Sequence, residues 1–330
     1  MRVVALEEHF TIPSAVARVS EEAKVKRGFV ARTVPPGKIN PLALLPDLGE
    51  QRLKSMDEAG ISVQVLSISG PAAELMEGQT GIDIAEGVNG GLKAAIDKHP
   101  TRYAGFAHLP LRSPEESARE FERCVKQLGF CGVIVNGTTD GLFLDDARFQ
   151  PVLAAAEQLD VPVYIHPHLP PRSVYDAYYA GLPGSAGVAI STAGWGWHSE
   201  TAIHLLRMVL AGIFDKHRKL KVIIGHMGEG LPVMLARLDD VAAVHARHLS
   251  RPISQTILEH VWLTTSGIFT QPPLVAALLT FGLDRIMFSV DYPYARNEQG
   301  KEFLRRLDFS PADMTKFCHG TADALLKLKA

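Results

Sequence analysis

The sequence predicts a closed (β/α)8 barrel, and two observations support this prediction. Eight short apolar runs rich in β-branched residues alternate with segments of helical periodicity, a pattern typical of a parallel sheet with crossover helices. Several of these runs end in a carboxylate or an imidazole, as expected where active-site residues gather at the carboxyl ends of barrel strands. A chain of 330 residues is long enough for one such barrel with insertions, so we expect a single domain over residues 1–330.

The predicted strands follow one another at spacings that leave room for a helix between most pairs. They cover residues 2–6, 62–68, 103–108, 132–136, 161–166, 220–225, 261–265 and 285–290. The predicted helices cover residues 47–59, 82–98, 114–127, 147–159, 200–212, 229–247 and 271–281. After the last strand, the segments LRRLDF, ADMTKFC and TADALLKLK predict helices that close the barrel.

Two segments exceed what a minimal barrel needs. Residues 20–45 form an insertion after the first strand, and residues 167–199 form a Pro- and Gly-rich connection after the fifth. Connections of this length inside a compact domain are usually lids or interface elements. Both follow strands, so both are expected to project from the catalytic face. The second carries enough aromatic side chains, Trp197 among them, either to wall an apolar ligand or to form a subunit contact.

Composition excludes several classes of partner. The net charge of −2 gives no electrostatic footprint for nucleic acid or for an anionic membrane. No apolar run approaches the roughly 20 residues that span a bilayer, and the first residues lack the apolar core of a secretory signal. Three cysteines, an odd number without a paired framework, suit a reducing compartment as small buried side chains. We therefore expect a cytoplasmic protein that binds neither nucleic acid nor a membrane.

Ionisable residues at the strand ends predict a metal site. Glu7 and His9 alternate along the first strand and are expected to share its barrel-facing side, whereas Glu8 is expected to face the other way. His166 ends the apolar run VPVYI and Asp291 follows RIMFSV, and buried ionisable groups of this kind need partners. Two carboxylates and two imidazoles converging on one rim are a suitable ligand set for one divalent metal ion.

His226 follows the run KVIIG and has candidate partners close by in the sequence. Glu229, at the predicted start of a helix, is placed to orient His226 through its second ring nitrogen. Arg237 lies farther along the predicted helix. It either pairs with Glu229, holds a substrate carboxylate in a two-point contact, or is an exposed helix residue.

The motifs LEEHF, YIHP, GHMGEGLP and FSVDYPY together resemble the amidohydrolase superfamily. Within it they are most similar to the decarboxylases related to γ-resorcylate (2,6-dihydroxybenzoate) decarboxylase and aminocarboxymuconate-semialdehyde decarboxylase. The resemblance implies one divalent ion, Zn²⁺ or Mn²⁺, close to His226 and held by Glu7, His9, His166 and Asp291. The first strand reads Glu-x-His where hydrolytic members usually read His-x-His. Asn136 stands where binuclear members place a lysine, and both departures favour a single metal.

The resemblance also implies a reaction. Asp291 would protonate the carbon that bears the carboxylate, with His226 and Glu229 assisting. The substrate would be a hydroxyaromatic or related unsaturated carboxylic acid that chelates the metal through its carboxylate and an ortho oxygen. Substrate contacts are expected from Arg237, Asn136, Tyr294, His168 and Trp197. The family further suggests a homodimer or a homotetramer.

Other activities are compatible with the same residues. A metal-dependent hydrolase of a lactone, ester or amide would use the same ligands to activate water, with Asp291 as base, and would release no CO2. Hydration of an unsaturated acid is a third enzymatic alternative. A barrel that only binds metal would make Asp291 and Glu229 dispensable.

Overall fold

In a computed structural model that describes residues 1–29 and 40–329, parallel strands form two sheets that close on each other. The strands are β1 Val4–Phe10, β2 Val63–Ile68, β3 Tyr103–Gly105, β4 Val133–Asn136, β5 Val163–His166, β6 Val222–Ile224, β7 Val261–Thr264 and β8 Ile286–Met287. One sheet has the order β1-β2-β3 and the other β4-β5-β6-β7-β8, and every pair is parallel. Isolated parallel bridges between Leu6 and Ser289 and between Ala107 and Val133 join the two sheets at both seams. The predicted (β/α)8 barrel is therefore confirmed.

The helices surround this barrel. They are α1 Pro13–Val16, α2 Glu21–Arg27, α3 Pro41–Leu44, α4 Glu50–Ala59, α5 Gly78–Lys98, α6 Pro114–Lys126, α7 Gln150–Leu159, α8 Arg172–Tyr178, α9 Ala186–Ser191, α10 Gly196–Leu210, α11 Ile213–Lys216, α12 Leu235–Ala242, α13 Ile253–His260, α14 Gln271–Phe281, α15 Asn297–Arg305, α16 Pro311–Thr315 and α17 Thr321–Leu326. Helices α16 and α17 fall on the predicted segments ADMTKFC and TADALLKLK, whereas α15 ends at Arg305 and leaves most of the predicted LRRLDF helix outside a helix. An ion pair of 3.1 Å between Arg2 and Asp323 of α17 ties this helix to the start of the chain.

The prediction of one helix over residues 229–247 was wrong. Helix α12 begins only at Leu235, and α13, which was not predicted, follows it before β7. Residues 226, 227 and 229 have φ values of 48°, 55° and 55°, in the left-handed region that a right-handed helix excludes. The segment after β6 is therefore a tight turn, and Glu229 belongs to this turn and not to a helix.

The two insertions contain more regular structure than the sequence indicated. Helices α2 and α3 lie in the segment 20–45, of which residues 30–39 fall outside the described part of the chain. The connection 167–199 was predicted as a loop, but it holds α8, α9 and the first turn of α10. Pro183 lies between α8 and α9, and Gly194 lies between α9 and α10, where such residues favour a turn. The assignment of all 330 residues to a single domain stays a prediction.

The strands carry apolar side chains on both faces, as expected for a parallel sheet covered by helices. Every residue of β1, β2 and β4 is buried. The cysteines Cys124, Cys131 and Cys318 are buried and unpaired, which agrees with their predicted role as small core residues. Among the described residues, no helix is long and apolar enough to cross a membrane. The cytoplasmic location stays a prediction.

A buried histidine in α10 gives the fold a measurable acid sensitivity. His204 of α10 is buried, its Nε2 accepts the backbone N–H of Leu144 at 2.9 Å, and burial lowers its pKa from 6.5 to about 3. Between these two values the unfolded chain binds a proton that the folded chain does not. The contribution of His204 to the free energy of unfolding is therefore fully present above pH 6.5, and it falls by about 1.4 kcal/mol per pH unit below that value.

We expect His204→Gln to make the protein less acid-sensitive, because the glutamine side chain keeps an acceptor near the Nε2 position and does not titrate. Urea unfolding at pH 7.5 and pH 5.5 should show that the wild type loses about 1 kcal/mol more than the variant. An identical pH dependence in the two proteins would contradict this role of His204.

Candidate metal centre and active site

A bulge in β1 brings Glu7 to the centre of the barrel mouth. The register between β1 and β2 shifts between Ala5 and Glu8, and Glu7 has a φ of 60°. Such a bulge breaks strict alternation and re-aims a side chain. Glu7 and His9 do converge, as predicted, and with His166 they present ligand atoms within 4.8 Å of one another. The bulge, and not a regular strand, produces this arrangement.

Four of the predicted metal ligands lie together at this point. Nε2 of His166 is 3.3 Å from Oε1 of Glu7, and Nε2 of His9 is 3.1 Å from Oδ1 of Asp291. Oε1 of Glu7 and Nε2 of His9 are buried and have no hydrogen bond among the described residues. Buried polar atoms without partners are costly, so a ligand that supplies the missing interaction is expected. Imidazole nitrogens and carboxylate oxygens at these positions fit one divalent cation.

Hydroxyl groups determine which carboxylate oxygen of Glu7 is available to a metal ion. The hydroxyls of Tyr164 and Ser266 donate to Oε2 of Glu7, and Thr264 lies 2.7 Å from the Tyr164 hydroxyl. Oε2 is thus occupied by donors and Oε1 is left to face the imidazoles. On the other side, Nδ1 of His9 lies 3.2 Å from the Ser67 hydroxyl, which leaves Nε2 of His9 for a metal.

Charge compensation keeps Glu7 ionised without solvent. Burial alone would raise the pKa of Glu7, but His226, His166 and His9 outweigh burial and hold that pKa well below its ordinary value. Burial lowers the pKa of His166 despite the neighbouring carboxylates, which favours the neutral imidazole that a metal requires. The site is therefore prepared for a cation before any cation binds.

His226 lies beside the predicted ligands and is oriented by Glu229, as predicted. Nδ1 of His226 is 2.9 Å from Oε1 of Glu229, while Nε2 lies 3.9 Å from Oε1 of Glu7 and 4.0 Å from Oδ2 of Asp291. Burial opposes the charged form of His226, but Glu229 and Glu7 outweigh it and raise the pKa to about 10. A divalent cation bound by Glu7 and Asp291 would offset part of this effect. Burial likewise opposes ionisation of Glu229, yet the two imidazoles beside it lower its pKa.

Glu8 holds the turn that carries Asp291. Its two carboxyl oxygens accept the backbone N–H groups of Val290 at 2.8 Å and of Tyr292 at 3.1 Å, the amides on either side of Asp291. Burial raises the pKa of Glu8 to about 8, although these amides oppose the shift. The expectation that Glu8 merely faces away from the site therefore understated its part, because it supports a predicted ligand from behind.

The predicted substrate contacts occupy different places. The ring of Tyr294 lies 5.5 Å from that of His9, and its hydroxyl is 2.6 Å from that of Ser69. Asn136 is buried beside His166 on the neighbouring strand. His168 is buried with its ring 5.2 Å from that of Phe29.

Arg237 does not form the predicted pair with Glu229. It is exposed on α12, and both oxygens of Glu229 are instead bonded to imidazoles. Its alternative role, a contact to a substrate carboxylate, stays a prediction. Trp197 is half-buried in the first turn of α10, and its contact with substrate also stays a prediction.

Sequence reasoning missed Tyr164 and the role of His198. Tyr164 stands two residues before His166 in the same strand, so the alternation rule would have placed both on one face of β5. His198 lies in the connection 167–199, to which the sequence assigned only a lid or a subunit contact, yet its Nδ1 is 2.5 Å from Oε2 of Glu229. No local pattern joins these two residues, because 31 positions separate them.

Comparison with known proteins agrees with this geometry. The family profile described as amidohydrolase matches residues 36–328. This chain belongs to the amidohydrolase family. The resemblance predicted from the strand-end motifs is thereby confirmed.

Several relatives that match almost the whole chain are named as decarboxylases. The chain is 38% identical to gamma-resorcylate decarboxylase of Rhodococcus jostii over 98% of each sequence. It is 34% identical to a dihydroxybenzoic acid decarboxylase from Polaromonas, solved with bound manganese and the inhibitor 2-nitroresorcinol. That pair has a TM-score of 0.84 over 99% of this chain and 98% of the other. A 5-carboxyvanillate decarboxylase from Sphingomonas paucimobilis gives a TM-score of 0.90 at 27% identity over 99% of each chain. These relatives support the predicted carboxy-lyase.

We expect Tyr164→Phe to weaken metal binding by about 10–100-fold, because loss of a bond that orients a ligand typically has this effect. The variant removes only the hydroxyl that fixes Oε2 of Glu7. Chelator competition with Zn²⁺ and Mn²⁺ measures the change. Tyr178→Phe is the matched control, since that side chain is 74% exposed. Equal dissociation constants for Tyr164→Phe and the control would contradict the assignment.

Proposed function

We propose that this protein is a metal-dependent, non-oxidative decarboxylase of benzoates that carry a hydroxyl group ortho to the carboxylate. The observation that carries the proposal is the set of ligand atoms around Glu7 and His9, whose buried Oε1 and Nε2 lack hydrogen bonds within the described part of the chain. An acid, Asp291, stands within 3.1 Å of this set. A metal site with an adjacent carboxyl group supplies both a binding point for an acid substrate and a proton donor.

The metal is proposed to be one Mn²⁺ or Zn²⁺ ion held by Glu7, His9, His166 and Asp291. Manganese is favoured by its presence in the Polaromonas relative. When bound, the ion would act as a Lewis acid and as a template for two substrate oxygens.

The residues around this site then have separate tasks. The Asp291 carboxyl group delivers a proton to the ring carbon that bears the carboxylate. The carbon–carbon bond to that carboxylate then breaks, CO2 leaves, and the bonding electrons restore the aromatic ring. Nε2 of His226, held by Glu229, stands where it contacts a phenolic oxygen or the departing carboxylate. Tyr294 and Trp197 exclude water from the aromatic ring of the substrate, and Asn136 and His168 contact the other substituents of that ring.

CO2 release from a panel of acids tests this function against its alternatives. The panel contains 2,6-dihydroxybenzoate, 5-carboxyvanillate and, as a matched control without a free hydroxyl, 2,6-dimethoxybenzoate. Release from a hydroxy acid but not from the dimethoxy acid, with about one metal per chain, is the expected result. Turnover of lactones, esters or amides without CO2 from any acid would instead support the hydrolase.

Asp291→Asn tests the proton donor. We expect kcat to fall by about 10²–10⁴-fold, the usual contribution of general acid catalysis, because the amide cannot deliver the proton. Metal content is measured in the same preparations, and the assay is run with saturating metal. Asp308→Asn, at an exposed position, is the control. An Asp291→Asn enzyme with wild-type kcat would exclude this role.

We also propose that the protein is a homodimer or a homotetramer. Exposed apolar side chains that follow one another along the segment around α12, namely Val233, Met234, Val241 and Val244, support this proposal, because grouped exposed apolar side chains are typical of protein–protein contacts. Light scattering of the purified protein measures its mass. A monomer at micromolar concentration would contradict the proposal.

A further inference from the structure

The long connection after β5 reaches back into the active site through one histidine. His198 lies in the first turn of α10, and its Nδ1 is 2.5 Å from Oε2 of Glu229. The other oxygen of Glu229 is 2.9 Å from Nδ1 of His226. One buried carboxylate therefore links two imidazoles, and the two rings lie 4.8 Å apart, edge to face.

Glu229 depends on these side-chain bonds for its position. The turn from His226 to Glu229 has left-handed backbone at three non-glycine residues and no regular helix to support it. Backbone in this region persists only where the surroundings fix it. A bond on one oxygen alone would leave the carboxylate free to rotate, whereas bonds on both oxygens define its plane.

His198 is also held by a contact within the connection 167–199 itself. Nε2 of His198 is 3.1 Å from the carbonyl oxygen of Ala193, so both ring nitrogens face oxygen acceptors. The chain between them folds tightly at Gly196, where a Cβ atom would lie 2.3 Å from the carbonyl oxygen of Ser191. Glycine is required at this close approach, and it fixes where the ring of His198 emerges.

A second metal ion does not explain this cluster. His198, His226 and Glu229 have ligand atoms close enough to suggest one. Metal–nitrogen and metal–oxygen bonds are each about 2 Å, however, and a nitrogen–oxygen distance of 2.5 Å is that of a direct hydrogen bond. Both oxygens of Glu229 are already used in this way.

We propose that His198 is a positioning residue for the proposed decarboxylation: its Nδ1–H holds Glu229, and Glu229 in turn sets the ring of His226 toward the substrate. The connection 167–199 is thereby part of the catalytic apparatus. This proposal rests on the proposed function, since His226 is the group that contacts the substrate.

Two amide substitutions separate the two bonds of His198. In His198→Asn the amide nitrogen stands near the position of Nδ1 and still donates to Glu229. In His198→Gln it stands nearer the position of Nε2 and still donates to Ala193. We expect His198→Gln and His198→Ala to lower kcat by about 10–100-fold with KM and metal content unchanged, and His198→Asn to keep most of the activity.

A matched histidine serves as the control. Nδ1 of His217 is 3.1 Å from Oε2 of Glu157, a comparable pair that joins the segment before β6 to α7. His217→Asn should keep kcat. Wild-type activity in His198→Ala, or equal activity in the Asn and Gln variants, would overturn the proposal. A ratio of two metals per chain that falls to one in His198→Ala would overturn it in favour of a second metal site.

A readout that does not need turnover keeps this test separate from that of the proposed function. In zinc-loaded protein with ¹⁵N-labelled histidine, the Nδ1 proton of His226 should give a resolved low-field signal. That signal should persist in His198→Asn and broaden or shift in His198→Gln. If the wild type releases no CO2 from any acid, the proposed function fails while this signal still decides the positioning. An unchanged signal in His198→Gln would refute the role of His198.

Discussion

The mouth of the barrel depends on one constraint, the charge of Glu7 in a place that water does not reach. A buried carboxylate without compensation is strongly unfavourable, so the surrounding strands must supply partners. They do so asymmetrically, because hydroxyls from β5 and from the end of β7 take Oε2 while imidazoles face Oε1. The bulge that exposes Oε1 to those imidazoles also brings His9 next to Asp291. The proposed divalent cation would complete this arrangement, because the protein has already oriented the proposed ligands.

The fold, and the convergence of the proposed metal ligands, could be predicted because each rests on a local signal. An apolar run predicts a strand, and an ionisable residue at its end predicts a position on the barrel rim, so His166 and Asp291 were readily found. The helix at 229–247 was wrong because the left-handed backbone from His226 to Glu229 has no simple signature in the residues concerned. The roles of Glu8 and His198 could not be predicted, because their hydrogen-bond partners are determined by tertiary packing.

The metal-binding side of the active site and the side that carries His226 are positioned by different kinds of structure. The proposed metal ligands come mainly from the barrel strands, the most regular part of the fold, and Glu8 stabilises the turn after β8 from behind. His226 instead stands on an irregular turn and takes its orientation from Glu229, which the connection after β5 also contacts. This division is consistent with a fixed metal and a more adjustable group at the substrate. Changes in the connection can then alter the reaction without disturbing the metal site.

A crystal structure of the manganese-loaded protein with 2,6-dihydroxybenzoate, with anomalous data collected at the manganese edge, tests the central claim most directly. The account predicts one anomalous peak per chain, within bonding distance of Oε1 of Glu7, Nε2 of His9, Nε2 of His166 and Asp291, with the ring carboxylate beside it. No peak at this position, or a peak between His198 and Glu229 instead, would contradict it.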